Sequence, residues 1–127
     1  MSGPETFFFY GTLLDDGRIE SVLAGASSWR FIGSATIVGQ LFDVGPYPAL
    51  QLIGTDSVHG VVFEFANGAA ALARFDHYEE AVAATLYIRR RVRARLDAGS
   101  EIEVWAYEYA RSVEGLRRIV SGDWQRR

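Results

Sequence analysis

Two short segments pair side chains that can do chemistry with a backbone able to present them. The first is Tyr10-Gly11-Thr12-Leu13. Residues 7–10 form a β-rich run that Gly11 breaks. Residues 18–24 carry Ile19, Val22 and Leu23 at helical spacing. The segment therefore joins a strand to a helix. A glycine there lets the backbone turn sharply and lets a ligand approach closely. The amides that follow can point free N–H groups into a cleft, which suits a carboxylate or an oxyanion. Strand–glycine–helix junctions are also common as plain connections, so this segment by itself leaves both readings open.

The second segment is Asp76-His77-Tyr78-Glu79-Glu80. Asn67 is a good N-cap, and residues 69–80 are alanine-rich without Gly or Pro, which predicts a helix. On that helix Leu72, Phe75 and Glu79 fall on one stripe, being three and four residues apart. Leu72 and Phe75 must face the core, which places Glu79 at the inner edge of the same face near the helix C-terminus. Desolvation and the negative end of the helix dipole would both raise the pKa of a carboxyl group there. A carboxylate tuned toward neutral pH can act first as a general base and then as an acid. Glu80 points away and reads as a surface acid. The same spacing also describes a glutamate solvated at a fraying helix end, and periodicity does not choose between the two.

Other chemistries find less support. All 13 basic residues are arginines, and Arg89, Arg90, Arg91, Arg93 and Arg95 form a ladder. Glu101 and Glu103 on the facing strand can pair with it, no aromatic residues interleave with it, and the chain carries a formal net charge of -3, so no nucleic-acid partner is expected. His59 and His77 are far apart in sequence, and there is no cysteine, so neither a metal site nor any cofactor is expected. Ser27, Ser28 and Ser121 lack the G-x-S-x-G elbow of a serine hydrolase.

The elements that must position these segments are mostly strands. With 127 residues, 49% hydrophobic and 23% charged, the chain suits one domain, 1–127, with its own core. Residues 31–44, with Gly33 and Gly39 inside, read as one bent strand or two shorter ones. Gly45, Pro46, Tyr47 and Pro48 make a loop, and residues 49–53 and 58–65 read as strands. Residues 86–96 alternate, with Leu86, Ile88, Val92, Ala94 and Leu96 on one face and only Arg90 out of place. Residues 101–109 read as the antiparallel partner, and 113–120 as a short closing helix. Strands with helices inserted between them predict an α+β fold with a small, strongly curved mixed or antiparallel sheet. Residues 1–6 lack a positive side chain, and the apolar run 7–9 is too short for a signal peptide. No apolar stretch is long enough for a membrane span, so a cytoplasmic location without a membrane partner is expected.

Taken together and in order, these segments resemble the gamma-glutamylcyclotransferase-like family, also called AIG2-like. The resemblance runs through Tyr10-Gly11-Thr12-Leu13, through Gly39-Gln40-Leu41-Phe42-Asp43-Val44-Gly45-Pro46-Tyr47-Pro48-Ala49-Leu50, and through Val58-His59-Gly60-Val61-Val62-Phe63. It continues in Arg74-Phe75-Asp76-His77-Tyr78-Glu79, Tyr87-Ile88-Arg89, Trp105-Ala106-Tyr107 and Ser121-Gly122-Asp123-Trp124. It implies a small barrel-like α+β fold with one cavity, in which the backbone of the tyrosine-glycine loop holds a gamma-glutamyl carboxylate and the helix-end glutamate transfers the proton. Those roles fall on Tyr10, Gly11, Thr12, Leu13 and Glu79, with Tyr47, Tyr87 and Tyr107 as cavity liners. The family often has glycine directly after the glutamate, whereas this chain has Glu80.

The implied reaction is an intramolecular cyclisation. The substrate's α-amine attacks its own γ-amide carbonyl, a five-membered ring closes, and 5-oxoproline leaves together with the free amine. It needs neither a metal nor an enzyme nucleophile. Holding the substrate folded can supply about 7–11 kcal/mol of the barrier. Glu79 would take the amine proton and pass it to the leaving amine, and the amides of residues 10–13 would bind the carboxylate or stabilise the oxyanion. The alternative is a binding module for a small gamma-glutamyl or carboxylate ligand, and a third reading is an interaction domain. A base at the helix end favours the enzyme. Both monomer and homodimer stay open.

Overall fold

The computed structural model describes residues 3–11, 16–83 and 87–127, and of residues 16 and 79–83 the backbone alone. Strand β1 spans Glu5–Phe9, and helix α1 spans Asp16–Leu23. Strands β2 (Trp29–Val38), β3 (Gln40–Asp43), β4 (Pro48–Gln51) and β5 (Ser57–Phe65) follow. Helix α2 covers Gly68–Ala83, and then come β6 (Tyr87–Leu96), β7 (Glu101–Tyr109) and β8 (Arg117–Arg118). A 3-10 turn, Trp124–Arg126, closes the chain. The fold is α+β. Five strands close a barrel in the order β1-β5-β2-β6-β7, and β4-β3-β8 form a separate small sheet.

The barrel is mixed because of one contact. All its other pairings are antiparallel, but β1 meets β7 in parallel with Phe7 opposite Trp105. Strand β1 is buried on both faces, which explains its unbroken apolar run. Phe8 points into the barrel core with Val62, Ala94, Val104 and Ala106. Phe7 and Phe9 point outward into a second core capped by α1 and α2. There the Phe75 ring of α2 lies 5.1 Å from Phe7, 5.1 Å from Phe9 and 5.0 Å from Phe65. Burial of such a ring is worth about 1.5–3 kcal/mol, so Phe75 fixes how α2 lies on the barrel.

Local signals account for the element ends. The Asn67 side chain accepts the Ala70 amide at 3.2 Å, as an N-cap does. Helix α2 runs beyond residue 80, to Ala83, so residue 79 lies in the last turn but one rather than at the end. The stretch 31–44 resolves into β2 and β3, broken at Gly39, with a bulge between Phe31 and Gly33.

Two expectations are corrected. Residues 113–120 form no closing helix. Gly115 adopts φ +83, and Arg117 and Arg118 instead pair with Asp43 and Phe42 of β3, where Asp43 binds the Arg117 guanidinium. The alternation expected along β6 holds only in its second half. Val92, Ala94 and Leu96 face the barrel core, whereas Ile88 is exposed and Tyr87 and Arg89 are half-buried. The reason is α2, which contacts the outer face at the start of β6 and makes that side an interior. The ladder arginines do pair with acids, Arg91 with Glu5 and Glu103, and Arg93 with Glu101 and Glu103. An aromatic residue nevertheless joins them from the next strand, since Arg89 and Arg91 both lie over the Trp105 ring, at 4.6 and 4.8 Å. No described helix is long and apolar enough to cross a membrane.

Candidate functional site

The parallel pairing of β1 with β7 sends both strands toward the same end of the barrel. Tyr10 and Gly11 leave β1 there, and Tyr107 and Tyr109 end β7. Strand β6, antiparallel to β7, begins there with Tyr87 opposite Tyr109. The last turns of α2 lead into β6 across residues 84–86. Three stretches that are distant in sequence, the exit of β1, the junction of α2 with β6 and the end of β7, thus arrive together.

Hydrogen bonds tie them. Tyr10 is buried, and its hydroxyl donates to the main-chain carbonyl of Tyr107. The Tyr107 ring, also buried, packs in the outer core, and its hydroxyl donates to Asp76 Oδ1 at 2.6 Å. One residue of β7 therefore holds the exit of β1 by its backbone and α2 by its side chain. The second carboxylate oxygen of Asp76 lies 3.4 Å from Arg89 Nη1 on β6.

A loop between β3 and β4 covers the other side. A Cβ added to Gly11 would lie 2.9 Å from Pro48 Cγ and 3.0 Å from Pro48 Cδ, so the absent side chain is required by the proline ring. Pro48 in turn accepts the Tyr87 hydroxyl at its carbonyl. Tyr87 is edge-on to Tyr47 at 6.0 Å and to Tyr109 at 5.7 Å, which makes an aromatic wall. Asp43 shapes the loop that carries Tyr47. It accepts the Gly45 amide at 2.8 Å and binds Arg117 at 2.7 Å, while Val44 N–H donates to the Tyr47 carbonyl at 3.2 Å. The Arg117 guanidinium foremost, and then the Gly45 amide, hold the Asp43 carboxyl below its ordinary value.

Of the residues singled out in the sequence, Tyr10, Gly11, Tyr47, Tyr87 and Tyr107 fall within this one connected set of contacts. Thr12 and Leu13 lie outside the described residues, as does the side chain of Glu79. The backbone of residue 79 is helical, and spacing sets it on the stripe of Leu72, Phe75 and Asp76, of which Leu72 and Phe75 pack into the outer core. Asp76, Arg89 and Pro48 carry the contacts that hold the set together, and no separate role was read for them in the sequence. The usable signal for Asp76 was its position three residues before Glu79. Arg89 was hidden inside a ladder of like residues. Among the described residues no group of three or more metal-ligating side chains comes together.

Comparison with known proteins bears on this arrangement. The family profile described as "Gamma-glutamyl cyclotransferase, AIG2-like" matches residues 7–126. The gamma-glutamylcyclotransferase family protein YtfP of Escherichia coli (strain K12) is 34% identical over 105 residues, which is 79% of this chain and 84% of that protein. An AIG2-like protein from Mus musculus has a similar solved structure, with a TM-score of 0.73 and 19% identity over 92% of this chain and 86% of that one. A gamma-glutamyl cyclotransferase gives a TM-score of 0.68 at 19% identity, covering 91% of this chain and 69% of that one. At such identities the structural likeness speaks for the fold alone.

Proposed function

The chain belongs to the gamma-glutamyl cyclotransferase, AIG2-like family, and from that premise we propose that it is an enzyme that cyclises a gamma-glutamyl amine, amino acid or peptide to 5-oxoproline and releases the free amine. The observation that carries the reading is the double attachment of Tyr107, which takes the Tyr10 hydroxyl at its carbonyl and gives its own hydroxyl to Asp76. It links Tyr10 to Asp76, which stands three residues before Glu79 on α2. Glu79 is the general acid/base in this reading. It removes a proton from the substrate's α-amine as that nitrogen attacks the γ-carbonyl carbon, and it returns the proton to the departing amine as the γ-amide C–N bond breaks. Amides of residues 10–13 receive the substrate carboxylate or the developing oxyanion. The wall of Tyr47, Tyr87 and Tyr109 encloses the folded substrate and keeps it close to its reactive geometry.

The test is release of 5-oxoproline from a panel of gamma-glutamyl amines, amino acids and peptides, read alongside the Glu79→Gln variant. Turnover by the parent and its loss in Glu79→Gln is the expected result. Saturable binding of these compounds without release of 5-oxoproline would replace the enzyme by a binding module for the same ligands.

A further inference from the structure

Asp76 ties α2 to two strands of the barrel. Its Oδ1 accepts the Tyr107 hydroxyl at 2.6 Å, and its Oδ2 faces Arg89 Nη1 at 3.4 Å. Arg89 Nη1 is buried and has no hydrogen-bond partner among the described residues, so Asp76 supplies its nearby counter-charge. The guanidinium of Arg89 is itself positioned by the Trp105 ring, which Arg91 shares from the next position along that face of β6. Trp105 Nε1 donates to Glu5 Oε2 at 2.9 Å, and the same oxygen accepts Arg91 Nη1 at 3.2 Å. A continuous polar chain therefore runs from β1 through β7 and β6 and ends on one carboxylate of α2. The apolar contacts around Phe75 seat α2 on the barrel, but they carry little directional preference of their own. A charged hydrogen bond of 2.6 Å carries one, because its strength depends on both length and angle.

We infer that Asp76, held by Tyr107 and Arg89, is a positioning residue that fixes the height and rotation of the α2 turn carrying Glu79. The inference rests on the catalytic reading of Glu79 given above. Position 79 lies three residues further along the same helix, so a rotation of the turn at Asp76 is passed on undiminished through the helical hydrogen bonds. Misplacement of a reacting group by about 1 Å can lower a rate about a hundredfold. The effect falls on kcat, because the polar partners of Asp76 among the described residues are Tyr107 and Arg89, whereas the wall assigned to the substrate is Tyr47, Tyr87 and Tyr109.

The experiment compares Asp76→Ala, Asp76→Asn and Tyr107→Phe with the parent in three measurements: thermal melting, steady-state kinetics on a gamma-glutamyl substrate turned over by the parent, and amide hydrogen exchange along α2. Asp76→Ala is expected to lower kcat about ten- to a hundredfold with KM unchanged, and to speed exchange in residues 77–83 relative to 70–74. Asp76→Asn keeps an acceptor oxygen for Tyr107 and regains most of the lost kcat. Tyr107→Phe keeps its ring in the core, removes the hydroxyl alone, and follows Asp76→Ala in both kcat and exchange even if Asp76→Ala itself folds poorly. The inference is overturned if exchange in residues 77–83 stays at the parental rate in both Asp76→Ala and Tyr107→Phe, or if kcat and melting temperature fall in strict proportion, as a purely structural contact would give. A parent protein that releases no 5-oxoproline refutes the catalytic reading of Glu79 on its own. The exchange measurement still decides in that case whether Asp76 holds the turn.

Discussion

Replacement of Gly11 separates a packing requirement from a binding one. The site geometry puts an added Cβ 2.9 Å from Pro48 Cγ and 3.0 Å from Pro48 Cδ. Ordinary carbon–carbon contact begins near 3.5 Å, so the two loops must part by at least half an ångström. Pro48 has little room to give. It is buried, it opens β4 opposite Asp43, and its carbonyl takes the Tyr87 hydroxyl. Overpacking of this kind costs about 1–3 kcal/mol, or a melting temperature lower by about 4–12 °C for a chain of this size. Gly11→Ala sits at the low end and Gly11→Val at the high end. Binding of a gamma-glutamyl ligand falls with it, because the loop that carries residues 10–13 is displaced. The assay is a double-mutant cycle: melts and ligand titrations of Gly11→Ala, Pro48→Ala and the pair. Removing the ring atoms that clash leaves the pair more stable than the sum of the single changes predicts. Gly11→Ala melting with the parent, or strict additivity in the cycle, would refute the contact as the reason for the glycine.

Glu79→Gln should lose about 10²–10⁴-fold in turnover while keeping fold and ligand affinity, and Glu80→Gln should be nearly silent; steady-state kinetics of both checks this. Asp43 has a depressed folded-state pKa, so the stability it lends is present above the unfolded value and is lost as pH falls through the folded one; melts of the parent and Asp43→Asn should converge below about pH 4. Asn67→Ala removes the cap of α2 and should cost about 1 kcal/mol, read by chemical denaturation. An oligonucleotide should bind only weakly at physiological ionic strength, because four of the five ladder arginines are paired with acids, Arg89 with Asp76, Arg90 with Glu108, Arg91 with Glu5 and Glu103, and Arg93 with Glu101 and Glu103; tight, salt-dependent binding in a titration would contradict this.

The parts of the fold that were legible in the sequence are those set by short-range physics. Asn67 announced its helix because a side-chain cap acts over three residues, and of the two readings open for residues 31–44 the structure takes the pair of strands, β2 and β3, on either side of Gly39. The Arg93 and Glu103 pairing followed from two adjacent alternating strands joined by a tight turn. What failed depends on partners far away in sequence. Residues 113–120 have a helical look, yet Arg117 finds Asp43, 74 residues earlier, and becomes a strand. Ile88 looked like a core residue by alternation. The helix that packs on the opposite face of β6 reverses inside and outside for that half of the strand, and no local pattern records where a helix will pack.

The same distinction explains why candidate site residues could be named one by one from the sequence but their meeting could not. Tyr10, Tyr87 and Tyr107 are unremarkable as single tyrosines. Their meeting follows from one parallel contact, Phe7 opposite Trp105, between strands almost a hundred residues apart. An antiparallel contact at that position would send the end of β1 to the opposite mouth of the barrel from the end of β7. Tyr10 could then not reach the carbonyl of Tyr107, and α2 would approach β6 with no tyrosine-glycine loop beside it. The parallel pairing needs a long crossover, and here the crossover holds everything from α1 to β6, including the loop of Tyr47 and the helix of Glu79. Closing the barrel and gathering the site are therefore one event, so a change that weakens the junction of β1 with β7 should reduce function before it unfolds either helix.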